Sequence, residues 1–314
     1  MSAAAAQRAT AFAPASVGNV GVGFDILGFS VDVLGDRVTA SVSATPGVTI
    51  KAIRGVADDL PLEAAQNTAG RAVQALVEAA APAFGIELEI EKGIPLGSGL
   101  GGSAASAVAG VVAANRLLQT PFSKLDLLKF AMQGEAVASG SLHVDNIAPS
   151  LFGGLVLTVG IDHPRVKQIP VPKGVRAVVV HPHLYLATKE ARAVLSKTIG
   201  MSDFVWQTAN LAGFIAGCYS NDVDMIRASF EDVLIEPQRQ SMIPGFADVK
   251  AAAMAQGALG CSISGAGPTI FAWALAEQAQ SALAAMEAQF ASRQIGVDGW
   301  VVDIESAGAR LVEI

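Results

Sequence analysis

Hydrophobic and polar residues form strand-like and helix-like patterns that follow one another along the first part of the chain. Apolar and polar residues alternate in residues 37–44, 47–53 and 86–91, which predicts half-buried strands. Between the second and third of these, the residues after Asn67 carry apolar side chains at helical spacing, and Asn67 is a suitable N-cap. We therefore expect the order strand, strand, helix, strand, with the strands framing an antiparallel sheet.

A glycine-rich turn and a helix of small residues come next. The sequence GIPLGSGLGG leads into SAASAVAGVVAANRLL, whose small side chains on every face predict a helix packed closely against other elements. Another helix is predicted from Ser123, which stands in capping-box-like spacing to Asp126. An apolar strand at residues 155–160 closes this half of the chain.

Three prolines in residues 162–174 predict a connection between two domains. The length of 314 residues fits two domains, because single cores stop growing at roughly 250 to 300 residues. We place the boundary at residue 168, which gives domains 1–168 and 169–314. The second half has predicted helices starting near residues 188, 202 and 246, a strand pair within 260–275, a helix at 277–294 and a strand at 300–305. The alternating strands indicate sheets with one exposed face, and hence an α+β class.

Composition and charge narrow the classes of function. Hydrophobic residues make up 52% of the chain and charged residues 16%, which predicts a globular protein. The net charge of −7 argues against nucleic acid as a partner, because nucleic-acid binding depends on clustered Lys and Arg. The uncharged stretches 93–115 and 251–276 contain clustered Gly, Ser and Pro, so we expect no membrane segment.

The two cysteines and the start of the chain bear on location. Cys218 and Cys261 lie in a predicted helix and a predicted strand, without the spacing of metal ligands, and we interpret them as buried free thiols. The first residues lack the apolar core of a signal peptide. We therefore expect a cytoplasmic protein.

The strongest chemical signal is PLGSGLGGSAAS, residues 95–106, where a glycine-dense turn leads from a strand directly into a helix. Backbone N–H groups of the first helical turn and the positive end of the helix dipole form a site for phosphate oxygens. Glycines allow the phosphate to come close. A plain tight turn is the alternative interpretation.

Two common phosphate loops do not fit this segment. Ser103 and Ala104 stand where a Walker loop needs Lys and Ser or Thr. Gly97, Gly99 and Gly102 have dinucleotide-loop spacing, but the preceding strand alternates with glutamates and no acidic residue follows at the required distance. A nicotinamide-binding protein is therefore a weak alternative.

The segment is similar to the ATP-binding motif of the GHMP kinases, with Gly102 where the first of two serines is usual. APASVGNVGVGFDILG at 13–28 resembles the N-terminal motif of that family, and GCSISGAGPTIFAW at 260–273 resembles its C-terminal motif. The resemblance covers nearly the whole chain. It implies a two-domain fold with an N-terminal ribosomal protein S5 domain 2-like ATP-binding domain and a C-terminal α/β-sandwich domain of the ferredoxin-like type.

The resemblance also implies ligands for ATP and Mg²⁺. The implied ATP-binding residues are Asn67, Pro95, Leu96, Gly97, Ser98, Gly99, Leu100, Gly101, Gly102, Ser103, Ala104 and Ala105. Ser103 and Glu135 match the family's metal-binding pair, and oxygen ligands suit a hard cation such as magnesium. Taken without the resemblance, Glu135 fits a solvated helix face better.

Three further segments resemble the branch of the family that phosphorylates L-homoserine: SLHVDNIAPSLFGG at 141–154, TKEARAVL at 188–195 and EPQR at 236–239. The implied substrate-binding residues are Asn19, Asp25, Asn146, Thr188, Arg192, Arg239 and Gly265. The carboxylate of Asp25 suits an α-ammonium group, and the two guanidinium groups suit an α-carboxylate. Taken alone, Asp25 fits a turn equally well, and a single arginine is usually a surface charge.

The step of proton removal is the least determined part of this interpretation. Several family members use an aspartate as general base at the position of Asn146, and an amide cannot accept the proton. We expect that no dedicated base operates, and that the neighbouring Asp145 points elsewhere if Asn146 faces the substrate. The expected activity is ATP- and Mg²⁺-dependent phosphorylation of homoserine in threonine biosynthesis. A mevalonate or sugar kinase of the same family and a non-catalytic ligand sensor are alternatives, and a homodimer is possible.

Overall fold

The computed structural model describes residues 6–139 and 144–313. Its strands are β1 (Arg8–Gly18), β2 (Leu27–Ser43), β3 (Val48–Gly55), β4 (Gly85–Lys92), β5 (Leu155–Val159), β6 (Arg165–Ile169), β7 (Val175–Pro182), β8 (Gly260–Ile263), β9 (Ile270–Leu275), β10 (Val297–Val302) and β11 (Arg310–Val312). Its α-helices are α1 (Thr68–Ala80), α2 (Gly102–Asn115), α3 (Lys124–Ser139), α4 (Ile147–Phe152), α5 (Thr188–Ala193), α6 (Met201–Ser220), α7 (Val223–Ala228), α8 (Glu236–Arg239), α9 (Phe246–Ala255) and α10 (Ala276–Ala291). Within these two ranges, no helix has both the length and the apolar character needed to cross a membrane.

The first sheet has the strand order β11-β1-β2-β4-β3, with β5 on another part of β2 and β6 beyond β5. The predicted antiparallel pairing is correct for β2 and β4. It is wrong for β3, which lies parallel to β4 and does not follow β2 in the sheet. The physical reason is the crossover through α1, since a helix that connects two strands of one sheet brings them into parallel register.

Helix α2 is the central helix of the first half, as its small residues predicted. Nearly all of its side chains are buried, and it contacts α1, α3, α4, β1 and β2. The predicted cap of α1 is also confirmed, because Asn67 Oδ1 accepts hydrogen bonds from the N–H groups of Ala69 and Gly70. Residues without large side chains let these helices pack closely against the sheet.

The second sheet has the order β10-β7-β9-β8, with all neighbours antiparallel. Its strands follow the chain order strand, helices, strand, strand, helix, strand, which is the ferredoxin-like arrangement. Helices α9 and α10 pack on this sheet over a second core that includes Val178, Phe246 and Phe290. The predicted α+β class and ferredoxin-like second half are confirmed.

A buried aromatic cluster joins the two sheets. Phe29 of the first sheet lies 5.6 Å from Phe271 and 6.1 Å from Trp273 of the second, measured between ring centroids. Phe214 of α6 and Phe230 pack against Trp273 at 5.1 and 5.7 Å. Because all five rings are buried, they fix the position of one sheet relative to the other.

The chain passes between the sheets at two places, and both differ from the predicted division into 1–168 and 169–314. Residue 168 falls inside β6, which pairs with β5, so the connection to the second sheet begins after Ile169. The chain also returns at its end, where β11 pairs with β1 of the first sheet. The prolines at 170 and 172 mark the connection, but the strand before them belongs to the first sheet.

A buried ion pair connects β2, β4 and α2. Asp36 Oδ1 accepts from the N–H groups of Gly93 and Ile94 at 2.9 and 3.2 Å, and its Oδ2 accepts from Lys92 Nζ and from Ser106 Oγ. Lys92 Nζ also donates to Gly102 O at 2.8 Å. Both charged side chains are almost completely buried, so each needs the opposite charge of the other to offset the cost of its own desolvation.

We predict that Lys92→Met lowers the free energy of unfolding by about 3 to 5 kcal/mol, because it leaves the Asp36 carboxylate buried without its cation. Urea unfolding monitored by circular dichroism measures the change. Lys51→Met is the matched control, since Lys51 is exposed beside Glu87 and Glu89 and should contribute less than about 1 kcal/mol. Equal effects of the two substitutions would contradict the role given to the buried pair.

Candidate active site

A cavity of about 370 Å³ lies between the glycine-rich turn before α2, the turn after β1, the segment before and within α5, and the loop between β8 and β9. All seven residues predicted to bind the substrate line it. They are Asn19, Asp25, Asn146, Thr188, Arg192, Arg239 and Gly265. Residues 95–99 and 101–103 of the predicted phosphate loop line the same cavity, as does Glu135.

The phosphate loop, residues 95–103, enters α2 through three glycines in the left-handed region. Their φ angles are 61° at Gly97, 78° at Gly99 and 67° at Gly101. The N–H group of Ala105 makes the first hydrogen bond of the helical ladder, to Gly101 O at 2.9 Å. The N–H groups at residues 102–104 therefore precede the ladder, at the positive end of the helix dipole, and Gly102 and Ser103 line the cavity. This is a geometry for binding phosphate oxygens.

Every carbonyl oxygen of residues 97–102 accepts a hydrogen bond from the protein. The donors, in the order of the acceptors, are Leu186 N (3.1 Å), Thr269 N and Oγ1 (3.2 and 2.6 Å), Ser264 Oγ (2.7 Å), Ser16 N (3.1 Å), Ala105 N (2.9 Å) and Lys92 Nζ (2.8 Å). These donors come from both halves of the molecule. With its carbonyl groups held in this way, the loop is left with N–H groups to offer a ligand.

The loop between β8 and β9 holds the phosphate loop most closely. The Thr269 hydroxyl donates its proton to Ser98 O, because a carbonyl oxygen can only accept. Thr269 Oγ1 lies 3.1 Å from His181 Nδ1 and must be the acceptor there, so His181 carries a proton on Nδ1. Burial is the main cause that lowers the pKa of His181. A Cβ on Gly99 would lie 2.6 Å from Ser264 O, so this glycine is required by the neighbouring loop.

A cluster of charges occupies another part of the cavity. Arg192 donates from Nη1 and Nη2 to the two carboxylate oxygens of Asp25, at 3.1 and 2.8 Å. Arg239 is buried and donates from Nε to Ala191 O and from Nη1 to Gly265 O, both at 2.9 Å. Burial, followed by the charge of Arg192, lowers the pKa of Arg239 to about 10. The ring of Phe24 lies 5.3 Å from each guanidinium carbon and supports both cations.

Asn19 and Asp25 have protein partners, whereas we expected their partners on the substrate. Asn19 Nδ2 donates to Gly265 O at 2.9 Å, and Asn19 Oδ1 accepts from the N–H group of Asp25 at 3.1 Å. Both residues have left-handed backbones, with φ of 70° and 62°, and this tight turn brings them together. Asp25 is thus a turn residue and also the carboxylate partner of Arg192.

Asp145 and Asn146 both line the cavity, whereas we expected Asp145 to point elsewhere if Asn146 faces the substrate. Asn146 Oδ1 accepts from Ser16 Oγ at 2.9 Å, which orients the amide. Asp145 is 3% exposed, and burial, followed by the negative charge of Asp25, raises its pKa to about 7.

Ser103 and Glu135 meet at the start of α2, and their side chains are hydrogen-bonded. Burial raises the pKa of Glu135 to about 7, while the Ser103 hydrogen bond and the charge of Lys92 act in the opposite direction. A cation close to such a buried carboxyl group stabilises its ionised form. Mg²⁺ commonly takes one or two protein carboxylates together with phosphate oxygens and water, so this donor pair fits it. Glu135 therefore lines the cavity, and the interpretation as a solvated helix residue, which its sequence position alone favoured, does not apply.

Four residues predicted to bind ATP do not line the cavity: Asn67, Leu100, Ala104 and Ala105. Asn67 caps α1 and donates from Nδ2 to Pro61 O, and the other three are buried in the core. Residues 141–143 of the quoted motif at 141–154 lie outside the described residues. At Gly102, a Cβ would lie 3.2 Å from Ile94 Cγ2, so the usual serine would require Ile94 to shift.

Several residues that shape the site were not predicted. Ser16, Phe24 and Thr269 lie within the N- and C-terminal motifs, so their position in those motifs was the available signal. Lys92 and Tyr185 lie outside them. Lys92 follows Ile86, Leu88 and Ile90 at the same two-residue period, so the alternation of the strand was its available signal. Tyr185 precedes a helix in an unpatterned segment and carries no such signal.

Comparison with protein families gives two matches. The model of the GHMP kinases N terminal domain matches residues 67–154, and the model of the GHMP kinases C terminal domain matches residues 214–292. The first range contains the phosphate loop, Glu135 and Asn146. The second contains Arg239 and the loop between β8 and β9.

Relatives of similar length match along nearly the whole chain. A homoserine kinase from Xanthomonas campestris pv. campestris is 51% identical over 307 residues, which is 98% of this chain and 94% of the relative. A homoserine kinase from Chlorobaculum tepidum is 41% identical, with 96% and 98% coverage. The crystal structure of homoserine kinase from Cytophaga hutchinsonii superposes with a TM-score of 0.94 at 45% identity, covering 98% of both chains. The mevalonate kinase of L. major shares the fold, with a TM-score of 0.70 at 15% identity.

Proposed function

The chain belongs to the GHMP kinase family, and we propose that it transfers the γ-phosphoryl group of ATP to the side-chain hydroxyl of L-homoserine, giving O-phospho-L-homoserine. This reaction is a step of threonine biosynthesis. The family resemblance inferred from the three motifs is confirmed by the matches to both family models. The relatives that match along nearly the whole chain are homoserine kinases, which supports the substrate.

One observation carries the proposal. A single cavity joins a phosphate-binding helix N-terminus to a charged cluster of Asp25, Arg192 and Arg239. Phosphoryl transfer needs little covalent chemistry from the protein, because positioning and charge neutralisation supply most of the acceleration. A cavity that holds a triphosphate beside a zwitterionic acceptor meets both requirements.

Recognition of the amino-acid acceptor follows from the charges. The Asp25 carboxylate lines the cavity beside Arg192 and can accept several hydrogen bonds, so we assign to it the α-ammonium group of homoserine. We assign the α-carboxylate to Arg192 and to Nη2 of Arg239, whose Nε and Nη1 are held by protein carbonyl groups. Thr188 and the peptide at Gly265 complete this part of the wall.

The side chains of Ser103 and Glu135 would hold Mg²⁺ beside the phosphates. When bound, the ion supplies charge neutralisation at the phosphate oxygens. The loop amides of Gly102 and Ser103 orient the same oxygens, and α2 contributes its dipole. Lys92 contributes from below the loop, since it fixes the Gly102 carbonyl and keeps the Glu135 pKa from rising further.

Proton removal needs no dedicated base in this proposal. Asn146 occupies the position at which several GHMP kinases carry an aspartate, and Ser16 holds its amide oxygen at 2.9 Å. The acceptor proton then leaves late, to a phosphate oxygen or to water. Within the described part of the chain, Asp145 is one of three carboxyl groups that line the same cavity, with Asp25 and Glu135, and burial raises its pKa to about 7.

The substrate is tested by a coupled assay of ADP release with homoserine, threonine, mevalonate and galactose as acceptors. We expect homoserine to give the highest kcat/KM, because it presents an α-ammonium and an α-carboxylate to the charged cluster together with a primary hydroxyl. Turnover of mevalonate or galactose without turnover of homoserine would overturn the substrate assignment. ATP binding without turnover of any acceptor would favour a ligand sensor.

We predict that Glu135→Gln lowers kcat by about a hundredfold or more, because metal neutralisation of phosphate charge supplies several kcal/mol. Glu87→Gln, on the outer face of the first sheet, is the control and should leave kcat unchanged.

The wild-type affinity for Mg²⁺ should fall about tenfold per pH unit below 7, since a proton then occupies the carboxyl group of Glu135. Magnesium titrations at pH 6 and 8 measure this, and equal affinities would contradict the assignment.

We predict that Asp145→Asn retains much of the turnover, losing less than about a hundredfold in kcat, because its carboxylate does not take the proton. Removal of a true general base typically costs about 10² to 10⁴. A loss above about a thousandfold, with unchanged thermal stability and unchanged homoserine affinity, would show that a base operates. Binding of homoserine is measured separately by calorimetry, so that an effect on affinity is not mistaken for one on chemistry.

We also propose a homodimer, formed through the start of α6. Met201, Phe204 and Trp206 are 76%, 51% and 64% exposed within two turns of one helix. Light scattering after size exclusion should give about twice the chain mass of 32.0 kDa, and Trp206→Glu should shift it to the monomer. Met254→Glu, on α9, is the control. A wild-type monomer would overturn the proposal.

The cytoplasmic location stays a proposal, to be checked by cell fractionation.

A further inference from the structure

Tyr185 is an exposed aromatic residue at the edge of the cavity. Its side chain is 71% exposed, yet it lines the same cavity as the phosphate loop. Most exposed hydrophobic residues need no explanation. Tyr185 differs because its ring lies against the loop that we propose to bind the phosphates of ATP.

The ring lies against the first glycine of that loop. A Cβ on Gly97 would stand 2.5 Å from Cδ2 and 2.6 Å from Cε2 of Tyr185, so the tyrosine ring occupies the space that a side chain would need. The next residue, Leu186, donates its N–H group to Gly97 O at 3.1 Å. One side of the ring is therefore packed on the backbone, and the rest of its surface is accessible to a ligand.

The order of groups along the cavity indicates which part of a ligand meets this ring. The γ-phosphate of the nucleotide must face the acceptor hydroxyl, which the charged cluster of Asp25 and Arg192 holds. The α2 N-terminus lies at Gly102, and the chain leading to it from Pro95 runs back toward Tyr185. The base is the end of the nucleotide farthest from the γ-phosphate, so it lies toward the start of the loop.

The cavity wall next to Tyr185 is also apolar. Leu96, which is 42% exposed, and Leu60 line the cavity together with Tyr185. Two leucines and an aromatic ring suit a flat, largely apolar heterocycle better than a triphosphate or a zwitterion. Base–aromatic stacking is a common and sequence-tolerant way to bind a nucleobase.

We propose that Tyr185 is a binding residue for the base of the nucleotide, which stacks against its ring at the start of the phosphate loop. This inference rests on the proposed use of ATP and adds the residue that holds the adenine. The segment 185–192 then serves both substrates, since Tyr185 meets the nucleotide at one end while Arg192 meets Asp25 at the other.

Direct binding of ATP, measured by calorimetry without acceptor, tests the proposal. Tyr185→Ala should raise the Kd for ATP about five- to a hundredfold, the range expected for loss of one base–aromatic stack. Tyr185→Phe should stay within about twofold of wild type, because the ring is kept. The chain has two tyrosines, and Tyr219→Ala, at an exposed position on α6, is the matched control and should leave the Kd unchanged.

Inorganic tripolyphosphate, which has no base, separates stacking from a structural effect on the loop. Its Kd should be equal in wild type and Tyr185→Ala. An unchanged Kd for ATP in Tyr185→Ala, or equal losses for ATP and tripolyphosphate, would overturn the proposal. If the wild-type protein phosphorylates homoserine but Tyr185→Ala binds ATP with unchanged Kd, the role of Tyr185 is wrong and the proposed function stands. If the wild-type protein does not bind ATP, the proposed function is wrong as well.

Discussion

The site depends on one constraint, which is that the carbonyl groups of residues 97–102 must all be bound by the protein. A tight turn into a helix exposes N–H and C=O groups in equal number, and a carbonyl turned toward a phosphate would repel it. Here each carbonyl has a donor, supplied by β1, by the ammonium group of Lys92, by the segment before α5, by the loop between β8 and β9 or by α2 itself. The loop can then act as an anion site without a lysine of its own, in contrast to a Walker loop.

The same constraint explains why two domains are needed for one loop. Thr269 and Ser264 belong to the ferredoxin-like half, yet they fix the Ser98 and Gly99 peptides of the other half. The aromatic cluster around Trp273 holds β9 against β2, so these hydroxyl groups keep their register with the loop. The return of the chain end as β11 adds a second connection between the halves. A rigid contact between the sheets therefore becomes a rigid geometry at the phosphate site.

Charge balance in the cavity follows a similar division. Lys92 and Asp36 neutralise each other beneath the loop, and Arg192 pairs with Asp25 beside it. Asp145 and Glu135 are buried carboxyl groups, and burial raises the pKa of each to about 7. A cation near Glu135 and an ammonium group near Asp25 and Asp145 would both favour the charged carboxylates. In the proposed complex, binding of the ligands would thus be coupled to the ionisation of the carboxyl groups that receive them.

Sequence patterns and the family resemblance were enough to predict the class of fold, most of its elements and the residues of the candidate site. Periodicity predicted the Asn67 cap, the buried α2, the strand pair at 260–275 and the helix after it, because these depend on local patterns. It could not determine that β3 pairs with β4, that β11 returns to β1, or that Asp25 binds Arg192, because these contacts join residues far apart in the chain. The glycines show the difference most clearly: their spacing indicated a phosphate loop, but only the tertiary structure showed that Gly97 and Gly99 also make room for Tyr185 and Ser264. A sequence pattern reports what a segment can do locally, whereas the packing of distant segments decides which atoms of that segment remain available to a ligand.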